Sequence, residues 1–143
     1  MTLAAQIPDG AAVLVDTNPI IYLLEGSPRA ARFRGVFEDI DSGRIQGIVT
    51  PVTLAEVVSG PLRAGNDALA ERYRHTLSQS PTWTVRDIDA DIAVLAARLR
   101  LRHKLKLPDA IQLAVAIHES CYALITHDRD FASVRELPVL GCT

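Results

Sequence analysis

The sequence has few cysteines and no long apolar segment. Among its 143 residues only Cys121 and Cys142 are cysteines, whereas a small secreted domain that depended on disulfides would carry more. No stretch approaches the ~18 apolar residues that a membrane helix needs. The first ten residues contain neither a basic residue nor an apolar run of signal-peptide length. We therefore expect a cytoplasmic protein with no membrane segment.

The sequence also lacks an excess of positive charge, and aromatic residues are scarce. A net charge of -2 argues against a protein that coats nucleic acid by bulk electrostatics. Aromatic residues make up 5% of the chain, and Tyr22, Tyr73, Trp83 and Tyr122 are far apart in sequence. We interpret them as packing residues and not as a platform for stacking bases. Contact with nucleic acid would have to use a local patch.

What the sequence does contain is a regular alternation of predicted strands and helices. An apolar fraction of 48% and a charged fraction of 22% are typical of a globular protein, and we predict one domain over residues 1–143. Alternation over the whole length predicts an α/β fold, a three-layer α/β/α sandwich with a mostly parallel central sheet. The predicted strands are 11–15, 45–49, 83–85 and 123–126. The predicted helices are 20–25, 29–41, 51–58, 66–77, a long helix from Ile88 that Leu107-Pro108-Asp109 interrupts, and 110–119.

Two aspartates directly follow predicted strands. In open parallel sheets ligands bind beyond the carboxyl ends of the strands, where Asp16 and Asp128 are expected. Either residue alone could equally form a turn or cap the next helix. Asp16 follows five consecutive apolar residues, so its charge is expected close to the core, where a carboxylate needs a cation.

Two further acids lie in or near apolar helical sequence. Glu56 could be the second member of a capping box with Thr53, but Thr50-Pro51 offers a competing helix start that puts Glu56 in the second turn, where capping has no use for it. Asp109 opens a helix, where an acid also complements the helix dipole without any catalytic role.

Together the four acids predict a cation site. Like charges that converge repel one another, so one would take up a proton unless a cation neutralised them. A carboxylate set without Cys or His at ligand spacing favours Mg²⁺ or Mn²⁺ over Zn²⁺. Such a site suits phosphodiester hydrolysis, because a divalent ion activates water and neutralises charge on the phosphate.

Four short segments, in this order, carry a resemblance to a known family. The segments are Val15-Asp16-Thr17-Asn18, Thr50-x-x-Thr53-x-x-Glu56, Leu107-Pro108-Asp109-Ala110 and Thr126-His127-Asp128-Arg129-Asp130-Phe131. With them the chain resembles the PIN-domain nucleases, most closely the VapC-type toxins of bacterial and archaeal toxin–antitoxin pairs, from Val13 to about Leu140. Pro19 departs from the aliphatic residue that is more frequent in the family, and His127 stands where a small or polar residue is frequent; we interpret His127 as a bystander.

The resemblance implies a function and a set of site residues. It implies a Mg²⁺- or Mn²⁺-dependent endoribonuclease that cleaves RNA, often tRNA or rRNA, as the toxin of a type II pair that is held inactive by an antitoxin and commonly forms a homodimer. It implies catalytic and metal-binding roles for Asp16, Glu56, Asp109 and Asp128, and supporting roles for Thr17, Asn18, Thr126 and Asp130.

Basic residues near the predicted site are candidates for RNA binding. Arg98 and Arg102 are one turn apart in a basic run that precedes Asp109, and we predict that they contact RNA, although a solvated helix end is an equally good explanation for either residue. Arg29, Arg32 and Arg34 form a second, weaker candidate patch.

Besides the nuclease toxin, three other functions are alternatives: a phosphohydrolase, a module without catalysis and a nuclease that is not a toxin. A haloacid-dehalogenase-type phosphohydrolase needs Asp-x-Asp after the first strand, and this chain has Asp16-Thr17-Asn18, whose amide cannot act as the second acid. A non-catalytic PIN-fold module for RNA or protein has no reason to keep four mutually repelling carboxylates. A PIN nuclease of RNA processing, unconnected with toxins, stays open at this point.

Overall fold

The computed structural model describes residues 1–142, which contain five β-strands and six α-helices. The strands are β1 (Ala12–Val15), β2 (Gln46–Val49), β3 (Trp83–Val85), β4 (Ala123–Ile125) and β5 (Val139–Leu140). The helices are α1 (Thr17–Leu24), α2 (Arg34–Asp41), α3 (Pro51–Arg63), α4 (Asp67–Ser78), α5 (Ala90–His103) and α6 (Leu107–His118).

The strands form one parallel sheet with β1 at its centre. The order is β3-β2-β1-β4-β5, and Leu14 of β1 pairs with Ile48 of β2 on one side and Leu124 of β4 on the other. The chain moves from β1 to β2 and β3 on one side and then returns to β4 on the other. The carboxyl ends of β1 and β4 therefore flank the point where the strand order reverses, which is where open α/β sheets bind ligands.

Side chains that alternate along the strands fill two separate cores. Leu14 packs with α5 and α6 on one face, whereas its neighbours Val13 and Val15 pack on the other face with α1, α2 and α3. The central strands are buried on both faces, as the near-continuous apolar runs predicted. The three-layer α/β/α fold predicted from sequence is confirmed.

The boundaries of several helices differ from the prediction. Helices α1, α5 and α6 begin at Thr17, Ala90 and Leu107, whereas the predicted starts are residues 20, 88 and 110. The segment Pro28–Phe33 is a 3₁₀ helix, and α2 begins only at Arg34. Helix α3 continues through Pro61 to Arg63 instead of ending near Val58. Residues before proline normally avoid the helical region because their backbone N–H and Cβ clash with the proline ring, and Gly60, which has no Cβ, avoids part of this clash. Strand β5 was not predicted, because two residues carry no period to detect.

Gly141, directly after β5, lies in close contact with the centre of the sheet. Its φ is +108°, and a Cβ added there would lie 2.5 Å from the carbonyl oxygen of Thr126. The position therefore requires glycine both for its backbone conformation and for its packing.

No helix within residues 1–142 is long and apolar enough to cross a bilayer. Thr143, the last residue of the predicted domain, lies outside the described residues. The single domain over residues 1–143 stays a prediction.

Candidate active site

Asp16 is buried at the carboxyl end of β1 with a relative exposure of 5%. It occupies the N-cap position of α1, but its side chain makes no capping hydrogen bond. Instead Oδ2 accepts a hydrogen bond from the Thr126 hydroxyl at 2.8 Å and Oδ1 accepts one from the Gln112 amide at 3.4 Å. The capping alternative for Asp16 is therefore wrong, since the carboxylate is held at the edge of the sheet by groups from β4 and α6.

Burial decides the proton affinity of Asp16. Loss of hydration raises the pKa of the Asp16 carboxyl, and the negative charge of Glu56 adds to that rise, while hydrogen bonds from Thr126, the Thr17 backbone and Gln112 act in the opposite direction. Hydrogen bonds thus fix the position of both Asp16 oxygens, but the donors are a neutral hydroxyl and a neutral amide, which do not balance the negative charge. A carboxylate in this setting is prepared for a cation.

Glu56 reaches the same edge from the second turn of α3. The capping box at the start of this helix is formed by Thr50 and Thr53, which confirms the helix start at Thr50-Pro51 and leaves Glu56 without a capping role. Its Oε1 accepts a hydrogen bond of 2.8 Å from the Thr17 hydroxyl at the start of α1. The predicted supporting residue Thr17 thus orients Glu56 and not Asp16 through its side chain.

Asp109 lies in the first turn of α6, and its pKa, like that of Asp16, is raised. Burial raises the pKa of its carboxyl from the ordinary value of 3.8 to about 6, and the charges of Asp16, Asp128, Asp130 and Glu56 contribute to the rise. An acid that merely complemented a helix dipole would have a lowered pKa. The raised pKa shows that loss of hydration, together with repulsion from the neighbouring carboxylates, outweighs the dipole.

The loop after β4 brings two further acids to Asp109. One carboxylate oxygen each from Asp109, Asp128 and Asp130 can be chosen so that all three lie within 4.8 Å of one another. The loop is held by its own hydrogen bonds, because the Asp128 amide donates to the Thr126 hydroxyl at 2.9 Å and the Asp130 amide donates to Asp128 Oδ1 at 2.9 Å. Asp130, predicted as a supporting residue, thus belongs to the same group of carboxylates as Asp109 and Asp128.

The arrangement fits a divalent cation bound by oxygen. The five acids come from the ends of β1 and β4, from α3 and from the first turn of α6, so distant parts of the chain supply one cluster. Carboxylate oxygens are the ligands that Mg²⁺ and Mn²⁺ prefer, and the three-acid group contains no histidine or cysteine. The residues present therefore fit such an ion on the chemistry of the donors and on their mutual repulsion.

Comparison with known families gives a result that agrees with this geometry. The family model described as PIN domain matches residues 13–137, which is most of the chain. The chain belongs to the PIN domain family. A search of curated proteins gave no match.

Solved structures of similar chains share the fold. A toxin–antitoxin complex from Klebsiella pneumoniae contains a chain that is 32% identical, with a TM-score of 0.69 and coverage of 87% of this chain and 94% of that one. VapBC2 from Rickettsia felis, bound to a promoter DNA fragment, is 16% identical, with a TM-score of 0.70 over 90% and 96% of the two chains. VapC20 from Mycobacterium tuberculosis, described as a Sarcin-Ricin loop cleaving toxin, is 19% identical, with a TM-score of 0.66 over 87% and 98%. The latter two likenesses show the fold alone.

One residue of the PIN domain site was missed by the sequence analysis. Gln112 is buried in α6, accepts a hydrogen bond of 2.6 Å from Thr50, and donates to Thr53 at 3.0 Å as well as to Asp16. It connects the start of α3 to the buried acid of β1. A pattern that pointed to it was present, because Gln112 is a lone amide in an apolar helix, three residues after Asp109 and on the same face.

Asn18 contacts the loop after β4, and the two arginines predicted to bind RNA, Arg98 and Arg102, differ in their surroundings. The Asn18 amide oxygen accepts a hydrogen bond of 3.4 Å from the His127 backbone, so it holds the loop of Asp128 and not an acid directly. Arg102 forms an ion pair of 2.8 Å with Glu136, whereas Arg98 is exposed on α5. Hydrogen bonds from His103, the Arg135 backbone and Arg102 lower the pKa of Glu136 to about 2, although its burial acts to raise it.

Proposed function

We propose that this PIN domain is a divalent-metal-dependent endoribonuclease and the toxin of a type II toxin–antitoxin pair. The observation that carries the proposal is the convergence of carboxylates at the reversal point of the sheet, where three of them lie within 4.8 Å of one another. The 32% identity to a chain of a toxin–antitoxin complex supports the toxin assignment. Membership of the family supports a nuclease in general.

The chain's own residues have distinct roles in this proposal. Asp16, Glu56, Asp109 and Asp128 would hold a Mg²⁺ or Mn²⁺ ion, and Asp130, whose carboxylate lies within 4.8 Å of those of Asp109 and Asp128, would assist them. When bound, the ion supplies charge neutralisation on the scissile phosphate and activation of the attacking water. Thr126 and Gln112 fix both oxygens of Asp16, and Thr17 fixes Glu56. This prearrangement matters because ligands that are already oriented lose less freedom when substrate and ion bind.

The raised pKa of Asp109 makes cation binding at this site depend on pH. A carboxyl whose pKa is about 6 gains and loses a proton near neutral pH, so Asp109 responds strongly to a neighbouring positive charge. Binding of a cation lowers that pKa and releases the proton. We therefore expect cation binding to tighten as the pH rises through 6.

The RNA and protein partners follow from the same proposal. Arg98 is the better of the two predicted RNA contacts, since Arg102 already pairs with Glu136. An antitoxin partner is supported by the Klebsiella relative, and a homodimer by the resemblance stated above. Sedimentation of the purified chain, alone and with a co-expressed short neighbouring reading frame, tests both assemblies.

The decisive experiment compares RNA cleavage by variants of the buried and half-buried acids. We expect Asp16→Asn and Asp109→Asn to lower cleavage of total tRNA and rRNA by about 100-fold or more, because each loses charge that the ion requires. Asp41→Asn is the matched control, since Asp41 is exposed at the end of α2, away from the site. The same variants should relieve toxicity on expression.

Two results would count against the proposal. Equal cleavage by the wild type, Asp16→Asn and Asp109→Asn would remove the enzymatic function and leave a binding module. Cleavage that depends on these acids, combined with harmless expression of the wild type, would leave a nuclease but not a toxin.

A further inference from the structure

Beside the acids, the fold brings together three residues that are far apart in sequence: Tyr22, Arg29 and His127. The Tyr22 hydroxyl and His127 Nδ1 are 2.9 Å apart, and the two rings meet edge to face at 5.7 Å between centres. The Arg29 guanidinium carbon lies 5.8 Å from the centre of the Tyr22 ring. We call these three residues the His127 shelf. Of the four aromatic residues interpreted above as packing residues, only Tyr22 belongs to it.

The His127 shelf is held in a fixed position at the rim of the site. His127 stands between Thr126, which binds Asp16, and Asp128, and its backbone amide donates to Asn18. Its ring also packs edge to face on the buried Phe33, at 6.0 Å between centres. His127 itself is exposed. The exposed His127 ring beside Asp128 is therefore held in place by Tyr22 and Phe33.

Arg29 differs from the arginines that stabilise the fold. Arg44, Arg86 and Arg102 each form ion pairs with carboxylates. Arg29 is exposed and has no carboxylate within ion-pair distance among residues 1–142; its guanidinium lies against the Tyr22 ring instead. Through Tyr22 this cation is connected to His127, the chain neighbour of Asp128, and it is available to an anionic ligand that approaches the acids.

We infer that the His127 shelf binds one unpaired nucleotide of the RNA, with its base stacked on His127 and its phosphate on Arg29. Stacking on an aromatic side chain is possible only for a base that is not enclosed in a duplex, so the shelf selects single-stranded or loop RNA. The inference rests on the proposed ribonuclease function, because it assigns the nucleotide neighbouring the phosphate that the acids act on.

The experiment measures binding separately from cleavage. In an Asp109→Asn background and in EDTA, the affinity of a fluorescent ten-nucleotide oligoadenylate is determined by anisotropy and compared with that of a duplex of equal length. His127→Ala and His127→Asn should weaken binding of the single strand by about tenfold, as expected for loss of one stacked base, and leave duplex binding unchanged. His127→Phe should retain most of the affinity.

Arg29 is tested by the salt dependence of the same binding. Arg29→Ala should reduce the slope of log Kd against log salt by about 0.7, the value for one phosphate of a single strand. Arg72→Ala is the matched control, since Arg72 is exposed on α4 and belongs neither to the His127 shelf nor to the group of acids. Thermal unfolding followed by circular dichroism verifies that each variant is folded, and the asparagine variant, which can still bond to Tyr22, replaces the alanine variant if that one is not.

The outcomes distinguish the shelf from the nuclease. Single-strand affinity within twofold of the parent for both His127 variants, an equal loss for duplex and single strand, or no binding by the parent would overturn the shelf. If wild-type cleavage depends on Asp16 but not on the shelf, the nuclease stands without it. If the shelf binds single strands as expected while the wild type cleaves nothing, the shelf stands and the nuclease fails.

Discussion

The two ends of the central sheet differ in how their charged side chains are paired. At the amino end an arginine lies between carboxylates, whereas at the carboxyl end carboxylates face one another. Near the amino end of β2, Arg44 donates to Asp9 at 3.0 Å, to Asp39 at 2.7 Å and to the carbonyl oxygens of Ile7 and Ala4. The hydrogen bond to Asp39 is the main reason that the Arg44 pKa is raised. At the carboxyl end, Asp109 faces other carboxylates and its pKa is raised to about 6.

The difference separates what holds the fold from what prepares it for function. A cation between two carboxylates is satisfied within the protein and ties the N-terminal segment to the sheet. A group of acids without a cation costs stability, and the cost is recovered only when an ion binds. The comparison therefore predicts that changes at the acid end alter activity most and changes at the Arg44 end alter stability without altering activity.

Removal of metal should have the largest effect. Because the acids repel one another without an ion, we expect chelation to reduce RNA cleavage by about 100-fold or more, and Mg²⁺ or Mn²⁺ to restore it. The same ions should raise the midpoint of thermal unfolding of the wild type, and raise it less in Asp109→Asn. Full cleavage in EDTA would show that the acid end does not work through a cation.

The hydroxyl that joins Asp16 to the loop of Asp128 should have the next largest effect. Thr126→Val keeps the shape of the side chain but removes its hydrogen bonds to both residues, and we expect cleavage to fall by about 10- to 100-fold, as for other groups that orient metal ligands. Thr84→Val on β3 is the matched control, because its hydroxyl only accepts a bond from Gln46. An equal effect of the two variants would contradict this role.

The pH dependence of unfolding should show the raised pKa of Asp109, which burial and the neighbouring carboxylates cause together. Since the folded pKa of Asp109 lies above its ordinary value of 3.8, the folded state binds the proton more tightly, and this contribution to stability is full below 3.8 and lost as the pH rises to about 6. For a half-buried group, with solvent screening allowed for, we expect roughly 1–2 kcal/mol. Urea titrations of metal-free wild type and Asp109→Asn measure it. An identical pH dependence of the two proteins would refute the raised pKa of Asp109.

The smallest effect is expected at the Arg44 end. Arg44→Ala removes two ion pairs and two bonds to carbonyl oxygens, and we expect the midpoint of thermal unfolding to fall by about 4 °C. Cleavage at a temperature where the variant is folded should stay at the wild-type rate. A variant with unchanged stability but impaired cleavage would reverse the assignment of the two ends.

The sequence predicted those parts of the molecule that depend on one segment at a time. The apolar run before Asp16 and the start of α3 at Thr50-Pro51 were both predicted, because burial on both faces of a strand and the capping of a helix are local properties. The three-layer order followed from the alternation of elements. The boundary of α3 was wrong because Gly60 relieves the restriction that Pro61 imposes, which a rule based on proline alone does not include.

The parts that were missed depend on contacts between distant segments. Gln112 takes its role from Thr50 and Asp16, which are 62 and 96 residues away in sequence. His127 was interpreted as a bystander because its contacts with Tyr22 and Phe33 exist only after β1 and β4 pair. No periodic pattern contains this information, since each residue alone fits a packing or loop position equally well.

Gly141 has a consequence for any selection that acts on this chain. Its backbone presses on Thr126 from the outer strand, so a side chain at position 141 would push against the residue that orients Asp16 while every acid stayed intact. If expression is harmful to a cell, survivors should include Gly141 substitutions that keep the domain folded yet silent. Such a copy of the protein would carry a complete set of acids and still be inactive, because a side chain at position 141 replaces one hydrogen on the α-carbon of glycine.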